Sequence, residues 1–124
     1  MQKIIQKIYK IRLFKRLIPS LLKRVVKIFK KNSVIIKHEK IFFKLNLNNP
    51  IDREIYLKGE YEKKQIDYLS KLIDTNNIKY FLDIGAHMGF YSINLSSKNI
   101  KTYAFEPVQS NYEQLKNNKL INKI

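Results

Sequence analysis

One stretch of this chain constrains its fold more than any other: two short apolar runs separated by a glycine turn. The first run, Ile78–Ile84, leads into a turn bracketed by Gly85 and Gly89, and the second run, Ile100–Phe105, follows after a stretch long enough for a short helix. Apolar runs of this length that alternate with helical segments are typical of buried parallel strands joined by helical crossovers. The stretch therefore predicts an α/β fold.

Helices are predicted on both sides of the second apolar run. The first begins near Gly89 and extends to about Lys98, and the second is opened by a capping box at Ser110–Glu113 and extends to about Asn122. The predicted order is β-α-β-α, for which a right-handed crossover is expected. In such sheets a ligand binds in the crevice at the carboxyl ends of the strands.

Each predicted strand ends at a carboxylate, and the residues around these two strand ends suit a nucleoside ligand. Gly85 allows a turn that a Cβ would obstruct, and Gly89 allows the start of the helix to lie close to a ligand. The free amides of that helix start suit an anionic group, whereas Asp83 suits a cationic one. Glu106, twenty-three residues after Asp83, can accept hydrogen bonds from both hydroxyls of a ribose.

Two other interpretations of the glycine turn compete with this one. A dinucleotide dehydrogenase has the motif G-x-G-x-x-G, but here Ala86-His87-Met88 separates the glycines, so the glycine that lets the backbone approach a pyrophosphate is missing. NAD binding is therefore disfavoured. The turn can also occur without any nucleoside ligand, in which case Asp83 only caps the following helix.

The segment Phe81–Ser92, together with Ala104–Pro107 and Asn111–Asn118, resembles the FkbM family of methyltransferases. Gly59–Glu62 resembles the segment that precedes the glycine turn in that family. The resemblance covers roughly residues 55–122, and the glycine and Glu-Pro motifs are shared with class I methyltransferases in general. It implies a Rossmann-like α/β fold, S-adenosyl-L-methionine as the cofactor, and O-methylation of a sugar, a glycan or a natural product.

On this resemblance, the expected cofactor contacts lie at the two strand ends: Asp83, Gly85, Ala86, His87, Gly89, Glu106, Pro107 and Val108. His87 stands where the family usually has asparagine, and we interpret it as a loop residue rather than a catalyst. No residue is predicted to be the catalytic base. Because the family's sheet has further strands, we expect a chain truncated after the second parallel strand, which holds the donor-binding half and shows no turnover alone.

The N-terminal segment differs from the rest of the chain in its charge. Residues 1–33 contain 11 of the 25 Lys and Arg and none of the 10 Asp and Glu, and their apolar residues recur at three- and four-residue spacing. This pattern predicts an amphipathic helix that Pro19 kinks or splits, giving helices near 3–17 and 20–31. We therefore predict two regions, this basic helical segment and a methyltransferase portion at 34–124.

The basic segment suggests an alternative function, that of a membrane-surface or interaction module with a non-catalytic Rossmann-like remnant. Bulky apolar residues opposite the charges favour an anionic membrane, bound through residues 3–31, over nucleic acid, which needs charge but no apolar stripe. Packing of the stripe on another part of the protein or on another subunit is an equal alternative. Since no apolar run reaches about 18 residues, we expect a cytoplasmic chain, peripheral at the inner face of the membrane if the stripe binds lipid.

The remaining sequence predicts small elements and no metal site. Val34–Lys37 and Ile41–Leu47 indicate a small antiparallel hairpin, and Ile51–Asp74 indicates two helices divided at Gly59. The chain has no cysteine, which excludes disulfides and thiolate metal sites, and two histidines make a poor metal site.

Overall fold

The computed structural model describes residues 2–11, 14–29, 32–59, 61–96, 98 and 100–124. This part of the chain is a mixed α/β structure with six helices and four strands in two small sheets. Its elements, in chain order, are α1 (Gln2–Tyr9), α2 (Phe14–Phe29), β1 (Ser33–His38), β2 (Ile41–Asn46), α3 (Pro50–Lys58), α4 (Lys63–Asn76), β3 (Tyr80–Ile84), α5 (Phe90–Ser96), β4 (Lys101–Phe105) and α6 (Gln109–Ile121).

The chain divides into two compact units. One comprises residues 1–38 and 44–61, and the other comprises residues 39–43 and 62–124. The expected division into 1–33 and 34–124 follows composition rather than contacts, and it stays a prediction. Residues 12, 13, 30 and 31 of the expected N-terminal helices, and Glu60 of the segment that resembles the family's lead-in, lie outside the described residues.

Of the two predicted effects of Pro19, a kink or a split, the split is wrong, because Pro19 lies inside α2. The interruption comes earlier, where the amides of Lys10 and Ile11 donate to carbonyls only three residues back, which tightens the end of α1. Proline removes a single backbone donor from a helix. The apolar stripe continues on both sides of Pro19, and the helix continues with it.

The predicted division of residues 51–74 at Gly59 is confirmed. Helix α3 begins after Asn49, whose side chain accepts a hydrogen bond from the amide of Ile51 at 2.9 Å. It ends at Gly59, which has the left-handed φ of 75° that a helix C-cap requires. In the same unit, the side chain of Gln6 donates to the carbonyl of Tyr56 at 3.0 Å and fastens α1 to α3.

The predicted β-α-β-α order is confirmed in the second unit. Strands β3 and β4 are parallel neighbours, with Tyr80 opposite Lys101 and Ile84 opposite Phe105. Helix α5 connects them, and α6 follows β4. The core between this sheet and the helices is built from Ile73, Leu95 and Ile100, with Leu69 and Phe81 packed against it.

The two faces of the β3-β4 sheet are buried to different extents. Phe81, Asp83, Thr102 and Ala104 alternate along one face and are half-buried. The residues of the opposite face are exposed, and Ile84 reaches 84% exposure. Because side chains alternate between the faces of a strand, the register decides that Asp83 lies on the covered face.

The predicted capping box at the start of α6 is wrong. The helix begins at Gln109 after Val108, whose own side chain makes no capping hydrogen bond, so Ser110 already lies inside the helix. The amide of Val108 donates instead to the carboxylate of Glu106 at 2.9 Å. This bond sets the turn before the helix, and the helix therefore starts ahead of Ser110.

Candidate functional site

The end of β3 is joined to the end of β4 through backbone hydrogen bonds. The amides of Gly85 and Ala86 both donate to the carbonyl of Phe105, at 2.8 and 3.0 Å. Since Ile84 and Phe105 are opposite in the register, Gly85 and Glu106 are the first residues after the paired strands. The two strand ends therefore form one edge of the unit, at the carboxyl end of the sheet.

The turn between β3 and α5 is closed by left-handed backbone at three residues. Gly85, His87 and Gly89 have φ values of 80°, 51° and 84°, and the amide of Gly89 donates to the carbonyl of Ala86 at 2.8 Å. Glycine adopts such values freely, whereas for other residues they are uncommon and occur most often in Asn, Asp and His. His87 is therefore a residue type that this position of the turn tolerates.

The two glycines of the turn differ in their surroundings. A Cβ built on Gly85 would meet no atom within 4 Å, whereas one built on Gly89 would lie 3.0 Å from Leu115 and 3.1 Å from Ile93. Gly89 is buried and Gly85 is exposed. Gly89 is therefore favoured by the close approach of α6 as well as by its left-handed backbone, whereas Gly85 is favoured by its left-handed backbone alone.

Glu106 connects the two turns of the site. One of its carboxylate oxygens, Oε2, accepts the amide of His87 at 2.7 Å. The other, Oε1, accepts the amide of Val108 at 2.9 Å and the side-chain amide of Asn111 at 3.3 Å. A single half-buried side chain therefore binds the glycine turn, the residue before α6 and the first turn of α6.

These contacts stabilise the ionised form of Glu106. Partial burial acts to raise the pKa of this carboxyl, but the hydrogen bonds from Val108, His87 and Asn111 outweigh burial and lower the pKa below its ordinary value of 4.5. Glu106 is consequently a carboxylate at neutral pH, able to accept hydrogen bonds and unable to donate one.

Asp83, the other predicted carboxylate, makes its hydrogen bonds within its own crossover. Its Oδ2 atom accepts the backbone amide of Ser92 at 3.0 Å and also the Ser92 hydroxyl. Ser92 lies in the first turn of α5, where backbone amides have no partner inside the helix. Asp83 therefore acts as a cap for α5, as the interpretation without a nucleoside expected.

The other predicted contact residues lie around this edge. Ala86 is buried, and Pro107 and Val108 are exposed beside Glu106. The structure brings the eight predicted residues to the two adjacent strand ends. Their roles toward a ligand stay predictions.

Asn118 is a supporting residue that the sequence did not single out. Its side chain is fully buried and donates to the carbonyl of Met88 at 3.0 Å, which holds the glycine turn from below. Asn111 and Asn118 lie seven residues apart on α6, a spacing that places both on one side of a helix. The sequence signal for this pair is two asparagines at the helical spacing at which core-facing apolar residues usually recur.

The described residues show neither a membrane span nor a metal cluster. Within them, no helix has the length and apolar character to cross a bilayer. In the same part of the chain, no three His, Asp or Glu side chains are grouped so that they could hold a metal ion.

Comparison with known proteins leaves the site to be interpreted from its own geometry: no protein-family profile, no curated protein sequence and no solved structure matches this chain significantly.

Proposed function

We propose that this edge of the second unit is the S-adenosyl-L-methionine site of a class I methyltransferase with a Rossmann-like fold. The observation that carries the proposal is the position of Glu106, an ionised carboxylate at the end of β4 that is hydrogen-bonded to His87 of the glycine turn. A carboxylate at the end of the second strand, next to a glycine turn after the first, is the arrangement that recognises a ribose in Rossmann-like folds. The FkbM resemblance of the surrounding residues supports the same assignment.

Glu106 retains capacity for ribose hydroxyls. A carboxylate offers about four acceptor positions, and three protein donors contact this one. The contact with Asn111, at 3.3 Å, is the longest of the three, so it is the one that a ribose hydroxyl replaces most easily. The two backbone donors keep the carboxylate in place during this exchange.

The glycine turn offers open space at Gly85. Apart from Gly85 itself and its two neighbours in the chain, no protein atom lies within 4 Å of the position that a Cβ of Gly85 would take, so a ligand can approach the backbone there. Asp83 lies near the end of β3, the strand that leads into this turn, and supplies negative charge toward an ammonium group. In this proposal Asp83 has two tasks, to cap α5 and to attract the amino-acid part of the donor.

S-adenosyl-L-methionine supplies, when bound, a methyl group activated by its positively charged sulfur. The residues of this chain hold and orient that donor, and precise alignment with an acceptor oxygen is the main contribution that a protein makes to such a transfer. The proposed acceptor, taken from the resemblance, is a hydroxyl of a sugar, a glycan or a natural product. None of the described residues at this edge is assigned as a base for that hydroxyl.

Calorimetric titration of the chain with S-adenosyl-L-methionine tests the proposal. The change Glu106→Gln keeps the size of the side chain and removes its charge, and we expect it to weaken donor binding about tenfold or more. Glu113→Gln is the matched control, because Glu113 is an exposed carboxylate of α6 whose side chain accepts a hydrogen bond from Gln109 of the same helix. Absence of binding by the unchanged chain, or equal affinity in Glu106→Gln, would contradict the ribose assignment.

A further inference from the structure

Helix α2 carries more apolar surface than the first unit covers. Ile18 and Leu22 are half-buried, whereas Leu17 and Leu21 are 54% and 60% exposed. At about 100° per residue these two pairs occupy adjacent parts of one apolar arc. Half of the arc is therefore partly covered, and the other half forms an open ridge. This ridge, which we call the outer ridge, consists of Phe14, Leu17, Leu21 and Val25.

Helix α1 has the same arrangement. Gln6 faces α3 through its bond to Tyr56, and Ile5 is half-buried, while Ile4 and Ile8 are exposed. Residues 4 and 8 are four apart, which places them on one side of α1, and Ile11 is exposed just after the helix. Two consecutive helices of one unit thus each leave an apolar ridge without cover.

Cations flank both ridges. Lys3 and Lys7 are exposed along α1, Lys10 is exposed directly after it, and Lys15, Lys23 and Arg24 are exposed along α2. No Asp or Glu lies in the first 33 residues to offset them. On α2, Lys23 lies opposite the centre of the apolar arc and Arg24 lies at its border. These are the positions at which a helix lying in a bilayer surface meets the lipid headgroups.

We propose that α1 and α2 bind the surface of an anionic lipid bilayer, with the outer ridge among the acyl chains and the flanking cations at the headgroups. Charge complementarity selects this partner, since exposed cations beside bulky apolar residues suit lipid that is both negatively charged and apolar underneath. Nucleic acid would use the charges and leave Leu17 and Leu21 in water. The inference does not depend on the methyltransferase proposal, because all its residues lie in the first unit.

Single tryptophans report on this proposal, since the chain contains none of its own. Leu21→Trp places the indole on the outer ridge, and Ser20→Trp places it on the neighbouring exposed polar side of α2. With vesicles of phosphatidylglycerol and phosphatidylcholine, we expect the emission of Leu21→Trp to shift to the blue and that of Ser20→Trp to stay near its value in water. Vesicles of phosphatidylcholine alone, or high salt, should remove the shift.

Flotation of the full chain with the same vesicles separates the ridge from apolar surface in general. The double variant Leu17→Gln with Leu21→Gln should float several-fold less than the unchanged chain, whereas Leu120→Gln, which alters an equally exposed leucine of α6, should float normally. Circular dichroism establishes that each variant has kept its helices. The proposal is overturned if both tryptophans shift equally or neither shifts, or if Leu120→Gln loses as much binding. It is also overturned if single-stranded RNA binds while vesicles do not, or if sedimentation shows that the ridge joins two copies which ignore lipid.

Discussion

The two strand ends of the site each carry a carboxylate, and they use it differently. Asp83 bonds to Ser92, within the crossover that its own strand begins. Glu106 bonds forward to Val108 and also back to His87, in the turn of the other strand. The end of β3 depends on glycines with left-handed φ, whereas β4 leads into α6 without any.

This difference separates a carboxylate with a local structural role, Asp83, from one that joins two turns, Glu106. A cap at the start of α5 accounts for the hydrogen bonds that Asp83 accepts, because Ser92 offers two donors at a helix start that otherwise lacks partners. No helix start requires Glu106 to reach His87. Glu106 instead unites both turns into one polar edge, and this makes it the more informative residue for function.

The largest expected effect separates the two glycines of the β3 turn. Gly89→Val introduces both backbone strain and a clash with Leu115 and Ile93, and we expect it to lower the free energy of unfolding by about 3 kcal/mol or more. Gly85→Val introduces strain without a clash, at about 1–3 kcal/mol. Urea unfolding of both variants measures the difference, and equal losses would mean that Gly85 is packed after all.

Donor binding should depend on Gly85 more strongly than the stability of the fold does. Gly85→Val places a branched side chain in the space proposed for the ligand, so we expect it to abolish binding of S-adenosyl-L-methionine more completely than it unfolds the unit. Calorimetry below the melting temperature of the variant makes the comparison. Normal affinity in a folded Gly85→Val chain would show that this side of the turn does not face the donor.

A smaller effect tests whether Asp83 has a task beyond capping. Asp83→Asn keeps an oxygen that can accept the Ser92 bonds, so its stability should change by less than about 1 kcal/mol, whereas Asp83→Ala should lose about 1–2 kcal/mol. If Asp83 also attracts the donor ammonium, both variants bind the donor more weakly. Normal donor binding by Asp83→Asn would leave only the capping role.

The smallest expected effect is a pH dependence carried by Glu106. Its pKa is lower in the folded chain than the ordinary 4.5, so its contribution to stability is present above about 4.5 and is lost as the pH falls through the folded value. The difference in unfolding free energy between the unchanged chain and Glu106→Gln should therefore narrow as the pH decreases below 4.5. A constant difference across this range would show that the charge of Glu106 does not matter to the fold.

The sequence predicts the strand ends well because their chemistry is local. An apolar run, a carboxylate and glycines that must adopt left-handed φ determine the β3 turn from a few adjacent residues. Asn49 caps the start of α3 and Gly59 caps its end, through contacts that are equally local. These elements needed no knowledge of the rest of the chain.

Longer-range contacts were beyond such local rules. The bond from Glu106 to His87 spans nineteen residues and depends on the strand register, and it belongs to an arrangement in which Ser110 is not the helix cap. Asn118 holds Met88 across thirty residues. Pro19 stays inside α2, where local propensity alone predicts a break. Contacts between distant residues accompany the first two departures from local rules, and a continuous apolar stripe accompanies the third.

The most direct test of one shared site is a map of backbone amide shifts in the chain during titration with S-adenosyl-L-methionine. The account predicts that Gly85 and His87 of one turn and Val108 and Asn111 of the other shift together, with one common dissociation constant, and that Glu106→Gln weakens all four responses. Shifts confined to one turn, shifts elsewhere in the chain, or no shifts at all would contradict the claim that the two strand ends form a single donor site.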